Sequence, residues 1–431
     1  MRINSARILF AALAALALTL APCASAQYTE TTLYNFGTFS TDAESPSWGL
    51  VRDAAGNLYG ASNSSLGGLG AAYELSPSIG GGWTESILHQ FVNDGTDAHI
   101  PSGPLTMDAS GNLFGITQGG GVNNKGAVYE LSPNSSGGWT EAVIYSFAGG
   151  TDGQWGTGNL TFDAAGNLYG TTFQGGSGTN ANCLNVGCGT VFELSPSSSG
   201  WTEKVIYNFT GGGDGMSGGG NLLFDSAGRL YGAAVAGGVQ IGSGCFDGCG
   251  TVYRLTPVSG SWRFARLFDF QGEVGGAAPG AIVFDAEGNI YGIGFTGGSF
   301  CLPLGCGVVF ELTPPASGGP WKEKVLHIFS ELHDGGGPGG GIAFDSSGNL
   351  FGTADFGGNG NLGTVWKLSP GAKGFWTLTQ LYSFGNGSTG SRPNSGVILD
   401  SLGNLYGTAQ QGGEFGRGSI FELSPSSADK R

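Results

Sequence analysis

The sequence predicts an all-β fold: a seven-bladed β-propeller with four antiparallel strands per blade, in which the N-terminal strand completes the last blade. Three observations predict it. Glycine supplies 86 of 431 residues without a three-residue period, which excludes collagen and suits many short strands joined by tight turns. A unit marked by Asp-x-x-Gly recurs at Asp53, Asp108, Asp163, Asp225, Asp285, Asp345 and Asp400, with gaps of 55, 55, 62, 60, 60 and 55 residues. Such a fixed period is the signature of a repeat architecture. The unit is also divided unevenly between the two chain ends, and that division argues for a closed ring.

Residues 158–209 show one complete unit. GNLTFD reads as a short apolar strand, and AAG as a turn with Asp163 and Gly166 at the first and fourth positions of a type I geometry. NLYGTT returns, GTVFELSP is a third strand stopped by Ser-Pro, and WTEKVIYNF is the fourth. Four consecutive antiparallel strands make one propeller blade. Inner strands such as NLLF and AIVF are apolar throughout because neighbouring blades cover both faces. The outer strand alternates, with Trp201, Val205, Tyr207 and Phe209 expected on one face.

Strands of the SIFELSP type occur seven times, the last at 419–425, but outer strands starting with Trp occur only six times: at Trp83, Trp139, Trp201, Trp262, Trp321 and Trp376. The seventh is YTETTLYNF at 28–36, with Tyr28 in the Trp position and Phe36 in the Phe position. The N-terminal strand is therefore expected to finish the last blade and leave no open sheet edge. A linear solenoid would end in whole, polar-capped repeats instead.

The motif G-x-L-x-F-D-x-x-G-N-L-Y-G-T…G-T-V-F-E-L-S-P, clearest at 158–196 and 395–425, resembles the Gloeo/Verruco (GloVer) tandem repeat of secreted bacterial proteins. The resemblance covers residues 28–425. It implies repeat proteins often joined to varied C-terminal surface anchors (the choice-of-anchor type), and no activity. No anchor is evident in this chain. The strand grammar is also similar to the NHL-type propeller blade, a likeness that bears on fold and not on chemistry.

Residues 1–26 read as a signal peptide: Arg2 and Arg7, an apolar run from Ile8 to Ala21, and Ala24-Ser25-Ala26 before Gln27. Residues 27–431 are expected to form a single propeller domain, secreted or periplasmic. Its 15 Lys+Arg against 32 Asp+Glu give a net charge of −17. That surface disfavours nucleic acid and anionic membranes as partners, and a monomer is expected. Cys23 leaves with the signal. The other six cysteines form close pairs, Cys183/Cys188, Cys245/Cys249 and Cys301/Cys306, each in the loop before the third strand of blades three to five. Local pairs in an exported chain predict disulfides, whereas a zinc site would find only two ligands in each.

Residues repeated in every blade are explained by blade geometry, so a site should lie in what the copies do not share. The Asp-x-x-Gly turns carry one acid each and read as structural, unlike calcium loops. Asn follows the glycine except at Arg229, and the third-strand glutamates (Glu74, Glu130, Glu193, Glu311 and Glu422) become Arg254 and Lys367 elsewhere. His89 and His327 fill a slot held by Tyr in sibling strands and read as packing residues. What remains lies in the glycine-rich connections between blades: Trp48, His99, Asp152, Trp155, Asp214, His333 and Asp334, with Asp94, Asp97 and Glu273 in the same loops. Aromatic faces beside polar groups suit a sugar or another polar polymer. These seven residues are the candidate ligand-binding set. The expected partner is a carbohydrate or an extracellular protein.

No nucleophile elbow, phosphate loop or HExxH motif is present, and no cofactor, metal or catalytic residue is assigned. The leading expectation is a non-catalytic binding propeller. The alternatives are a glycoside hydrolase or polysaccharide lyase, with Asp152 and Asp214 at the channel mouth, and a structural module of the envelope.

Overall fold

A computed structural model describes residues 28–426 apart from 40–41, 66–67, 179, 181–182, 184–185, 239–244, 246, 273–274, 302–304, 317–318, 332 and 386. The expected signal segment and Glu273 lie outside the described residues. Seven antiparallel sheets succeed one another, the first six built from inner to outer strand in chain order, and together they form a seven-bladed propeller. No described helix is long and apolar enough to cross a membrane.

The last blade runs Val397–Leu399, Leu405–Ala409, Ser419–Pro425 and then Tyr28–Asn35 on its outer edge. Tyr28 pairs with Pro425 as Trp201 pairs with Pro196 in blade 3, so the N-terminal segment occupies the register of an outer strand. Phe36 N–H donates to the Gly418 carbonyl, as Phe209 N–H does to Gly189.

In each second strand the glycine after the aromatic residue leaves room for a ring. A Cβ on Gly60 would collide with the Tyr73 ring, and one on Gly115 with Tyr129. That third-strand ring then meets the phenylalanine ending the previous blade's outer strand. The seven contacts are Phe36–Tyr73, Phe91–Tyr129, Phe147–Phe192, Phe209–Tyr253, Phe270–Phe310, Phe329–Trp366 and Phe384–Phe421. Their centroids lie 4.9–5.7 Å apart in edge or tilted geometry. Such pairs add about 0.5–1.5 kcal/mol beyond area burial.

The outer strands depart from the simple alternation that the sequence suggests. Phe192 pairs with Val205 but its neighbour Val191 pairs with Tyr207, so Ile206 is an inserted bulge residue. The equivalent residue in the N-terminal strand is Leu33. A bulge moves everything beyond it to the other face. Trp201 therefore reaches back to Phe114 of blade 2, while Tyr207 and Phe209 reach forward to Phe264 and Tyr253 of blade 4. Trp201 and Val205 do not share a face with Tyr207 and Phe209, and one strand grips both neighbours.

The inner strands also begin earlier than the apolar motif indicates. In blade 3 the strand spans Gln154–Phe162, and His99 lies within Ala98–Pro101 of blade 2. Trp155 and His99 thus sit on strand rather than loop, because their glycine-rich surroundings pair with the second strand near its end.

Deleting residues 28–36 is expected to lower stability by several kcal/mol, with burial of Phe36 alone contributing roughly 1.5–3 kcal/mol. Chemical denaturation of the truncated and full chains checks this. Equal midpoints would show that ring closure is dispensable.

Candidate functional site

Five of the seven connections from an outer strand to the next blade are closed in one repeating way. The Tyr145 hydroxyl donates to Asp152 Oδ1 at 2.5 Å, and the Ala148 N–H donates to Oδ2. Tyr207 and Thr210 hold Asp214 likewise, and His327 Nε2 and Ser330 hold Asp334. Tyr34 with Asp42 and His89 with Asp97 repeat the arrangement, and Tyr382 meets Thr389. In blade 4 the slot holds Phe268, which has no polar group to offer, and the loop position holds Gly275. His89 and His327 thus bond an aspartate as well as packing. The signal was available in sequence as a Tyr/His-to-Asp spacing of seven or eight residues.

A glutamate from the next outer strand faces several of these pairs. Glu85 Oε2 accepts from Tyr34, and its other oxygen accepts from Ala43 N–H. Burial, then the Asp42 carboxylate, pushes Glu85 up to about 8. Glu203 is pushed up to about 8 by burial and by Asp152. Glu141 is pushed up to about 7 by burial, opposed by His89 and reinforced by Asp97. His89, Asp97 and Glu141 bring ligand atoms within 4.8 Å of one another. The same constellation recurs with tyrosine in place of histidine at Tyr34/Asp42/Glu85, so blade-to-blade packing accounts for it. Perturbed carboxyl groups often mark active sites, but here their repetition around the ring assigns them to the scaffold.

A second repeat sets the rim of the channel. One residue at the start of each inner strand has a left-handed backbone: Ser45, Ile100 and Trp155 in blades 1–3, Ser217, Ala278 and Gly337 in blades 4–6, and Arg392 in blade 7, with φ between 50° and 60°. Left-handed backbone costs a non-glycine residue roughly 1–2 kcal/mol. Each of these N–H groups donates to a carbonyl of the preceding blade at 2.8–3.0 Å: Trp155 to Lys125, Ser217 to Cys188, Ala278 to Cys249, Gly337 to Cys306. The Ser45 N–H donates to Arg417 and joins blade 1 to blade 7. The disulfides Cys183–Cys188, Cys245–Cys249 and Cys301–Cys306 are formed. The second cysteine of each supplies the acceptor carbonyl, so each bridge fixes a latch between blades.

These latch residues sit across from the ends of the second strands. Gln154 pairs with Gln174 and Gly156 with Thr172, which places Trp155 opposite Phe173. Both are exposed, at 40% and 39%, and Phe295, opposite Ala278 in blade 5, is 45% exposed. Elsewhere the second-strand position holds Asn63, Gln118, Val235, Asp355 and Gln410. The charged members of the rim, Arg392 and Asp355, bond each other at 2.9 Å. The rim has a constant backbone and variable side chains, and the two charged residues among these latch and facing positions neutralise each other.

Below it lies a channel cavity of about 560 Å³, walled by glycine backbone and by Asn159, Asn221, Asn394 and Trp48. Trp48 Nε1 donates to the Pro101 carbonyl at 2.8 Å. Asn159 and Asn221 stitch adjacent inner strands, through Leu222 N–H and the Ile282 backbone.

Of the candidate set, Trp155 stands on the rim and Trp48 lines the channel. His99 is buried beside Gly119, with neither ring nitrogen hydrogen-bonded. His333 is exposed, and Asp152, Asp214 and Asp334 are engaged by their own outer strands. Phe173, Phe295 and Gln118 escaped the sequence reading because they belong to the repeated second strand. Aligning the residue after LYGTT across the copies would have exposed their variability.

The Gloeobacter/Verrucomicrobia repeat matches residues 19–184 and 302–431. The chain belongs to this repeat family. No curated protein matches its sequence. Among solved structures, a fungal alcohol oxidase of the AA5 family, in complex with copper, is 14% identical, with TM-score 0.54 over 91% of this chain and 76% of that one. The extracellular domain of a protein assigned as a hybrid two-component system from B. thetaiotaomicron is 12% identical, with TM-score 0.56 over 92% and 42%. A gluconolactonase from Xanthomonas campestris is 17% identical, with TM-score 0.42 over 76% and 86%. The first two likenesses bear on the fold alone, and no chemistry passes from any of these proteins to this chain.

Two outcomes follow from the geometry. Carboxyl groups near 4.5 in the unfolded chain hold their proton to about 7–8 in the fold. The folded state then binds more protons, so stability falls as pH rises from about 4.5 to 8 and levels off above. Denaturation curves from pH 5 to 8.5 should show this slope, and Glu203→Gln should flatten it while raising stability at pH 8. Reducing the disulfides should speed amide exchange at Ser217, Ala278 and Gly337 by roughly tenfold. Exchange at Ile100 and Trp155, whose acceptors carry no bridge, should hold steady.

Proposed function

We propose that the protein is an exported, monomeric, non-catalytic propeller that binds a neutral glycan at the rim of its loop face. The observation that carries this reading is the cross-strand pair Trp155/Phe173, standing half open on a rim that also bears amide side chains and, two blades away, the exposed Phe295. Aromatic rings offer flat apolar faces, and amides such as Gln118, Asn63 and Gln410 offer donors and acceptors without charge. The Arg392–Asp355 pair neutralises itself, which favours an uncharged ligand over a polyanion. Three disulfides suggest an oxidising, extracellular setting. A glycoside hydrolase would need two carboxyl groups across the sugar, and among the described latch and facing positions Asp355 is the one carboxylate, already bonded to Arg392.

Retention of the purified protein on insoluble neutral polysaccharides tests the reading, with assay for new reducing or unsaturated ends alongside. Binding is expected without product. Trp155→Ala and Phe173→Ala are each expected to weaken it roughly thirtyfold, since aromatic truncation at a binding hot spot costs about 2 kcal/mol. Retention on peptide or protein ligands instead, unaffected by Trp155→Ala, would replace the glycan, and product formation would make the protein an enzyme.

A further inference from the structure

Blade 4 departs from its siblings at positions that meet in space. Arg229 replaces the asparagine that follows Asp-x-x-Gly in every other blade, and Arg254 stands where five blades have glutamate. Both line a cavity of about 860 Å³ between blades 4 and 5, which runs along the outer strand of blade 4 from Ala265 to Asp269. Its far wall is apolar, from Pro314, Pro315, Pro320 and Trp321 of blade 5.

The two guanidinium groups differ in how they are satisfied. Arg229 Nε donates to Asp225 at 2.5 Å and its guanidinium lies 6.0 Å from the centre of the Tyr231 ring. Arg254 pairs across the sheet with Tyr231 on one side and Ala265 on the other. Its Nε is buried without a hydrogen-bond partner, and among the described residues no carboxylate lies within ion-pair distance of it. Where siblings place a glutamate beside the second-strand tyrosine, this blade places an uncompensated cation at a cavity wall. In a chain of formal net charge −15, the exchange adds positive charge to a wall that also carries Glu287 and the Arg266–Asp269 pair.

We propose that this cavity is an oxyanion site, in which Arg254 with Arg229 holds a carboxylate, sulfate or phosphate group, while the Tyr231 hydroxyl stays committed to Asp225. The Trp321 and proline wall covers the apolar body that bears it. A guanidinium presents a fork of donors that matches such groups bidentately. The cavity falls within the size range of small-ligand pockets, which suits an acidic monosaccharide or disaccharide. The site is separate from the loop-face rim and does not depend on it.

The siblings supply the control, because Arg254→Glu and Arg229→Asn install residues that the other blades already accommodate. Titration calorimetry and thermal melts of the purified protein with galacturonate, sulfate and phosphate, at ionic strength fixed with chloride, read the site. At least one of the three is expected to bind saturably and raise the melting temperature, and its identity separates carboxylate from tetrahedral anions. Arg254→Glu is expected to melt like the parent without ligand and to bind at least tenfold more weakly. Arg254→Gln repeats the test should the glutamate disturb folding. Absence of saturable binding by all three, or stabilisation of parent and variants alike, would overturn the proposal.

Discussion

The contact on which the structure depends is the edge-on or tilted packing of each outer-strand phenylalanine on a ring of the next blade's third strand. That ring can lie flat only because the second strand has glycine beneath it, as Gly60 lies beneath Tyr73. Seven such contacts run head to tail and end where they began, through Phe384 on Phe421 and Phe36 on Tyr73. A cyclic array of identical contacts has no terminal member, so no blade presents an apolar face to water. The cost falls on the chain ends, which must meet inside one sheet.

The bulge in each outer strand makes that cycle possible. A strand that alternated regularly would send its large residues toward one neighbour only. Inserting Ile206 turns the second half of its strand the other way, so that Trp201 holds blade 2 while Tyr207 and Phe209 hold blade 4. The left-handed latch acts in the same sense near the channel. It takes one backbone N–H out of its own sheet and gives it to the preceding blade, at the cost of an unfavourable φ. In blades 3 to 5 a disulfide holds the acceptor in place, which is why the cysteine pairs accompany the longer loops.

This scaffold separates what must be constant from what can vary. Aspartates in the connections and glutamates in the outer strands, which would look catalytic in isolation, are parts of the blade interface. Variation collects on the rim, where the backbone is fixed by the latch and the side chain is free, and in blade 4, where two scaffold positions have become arginine. Both places offer chemistry without disturbing the packing beneath.

Blade number, strand order and ring closure were legible in the sequence, because each follows from counting: seven inner sets, six Trp-led outer strands, and one leading segment that fits the vacancy. The cysteine pairing followed from proximity along the chain. The bulge was not legible, since WTEKVIYNF satisfies a strict alternation on paper and only pairing with Thr190–Ser197 shows the skipped residue. Asp152 and Asp214 were legible only as a repeated spacing from Tyr145 and Tyr207, since glycine-rich neighbours carry no periodicity to say which way a side chain turns. Periodicity along one strand is a local property that sequence encodes directly. Which residues share a rim, a latch or a cavity depends on contacts between blades some 55–62 residues apart, and only the closed ring decides those.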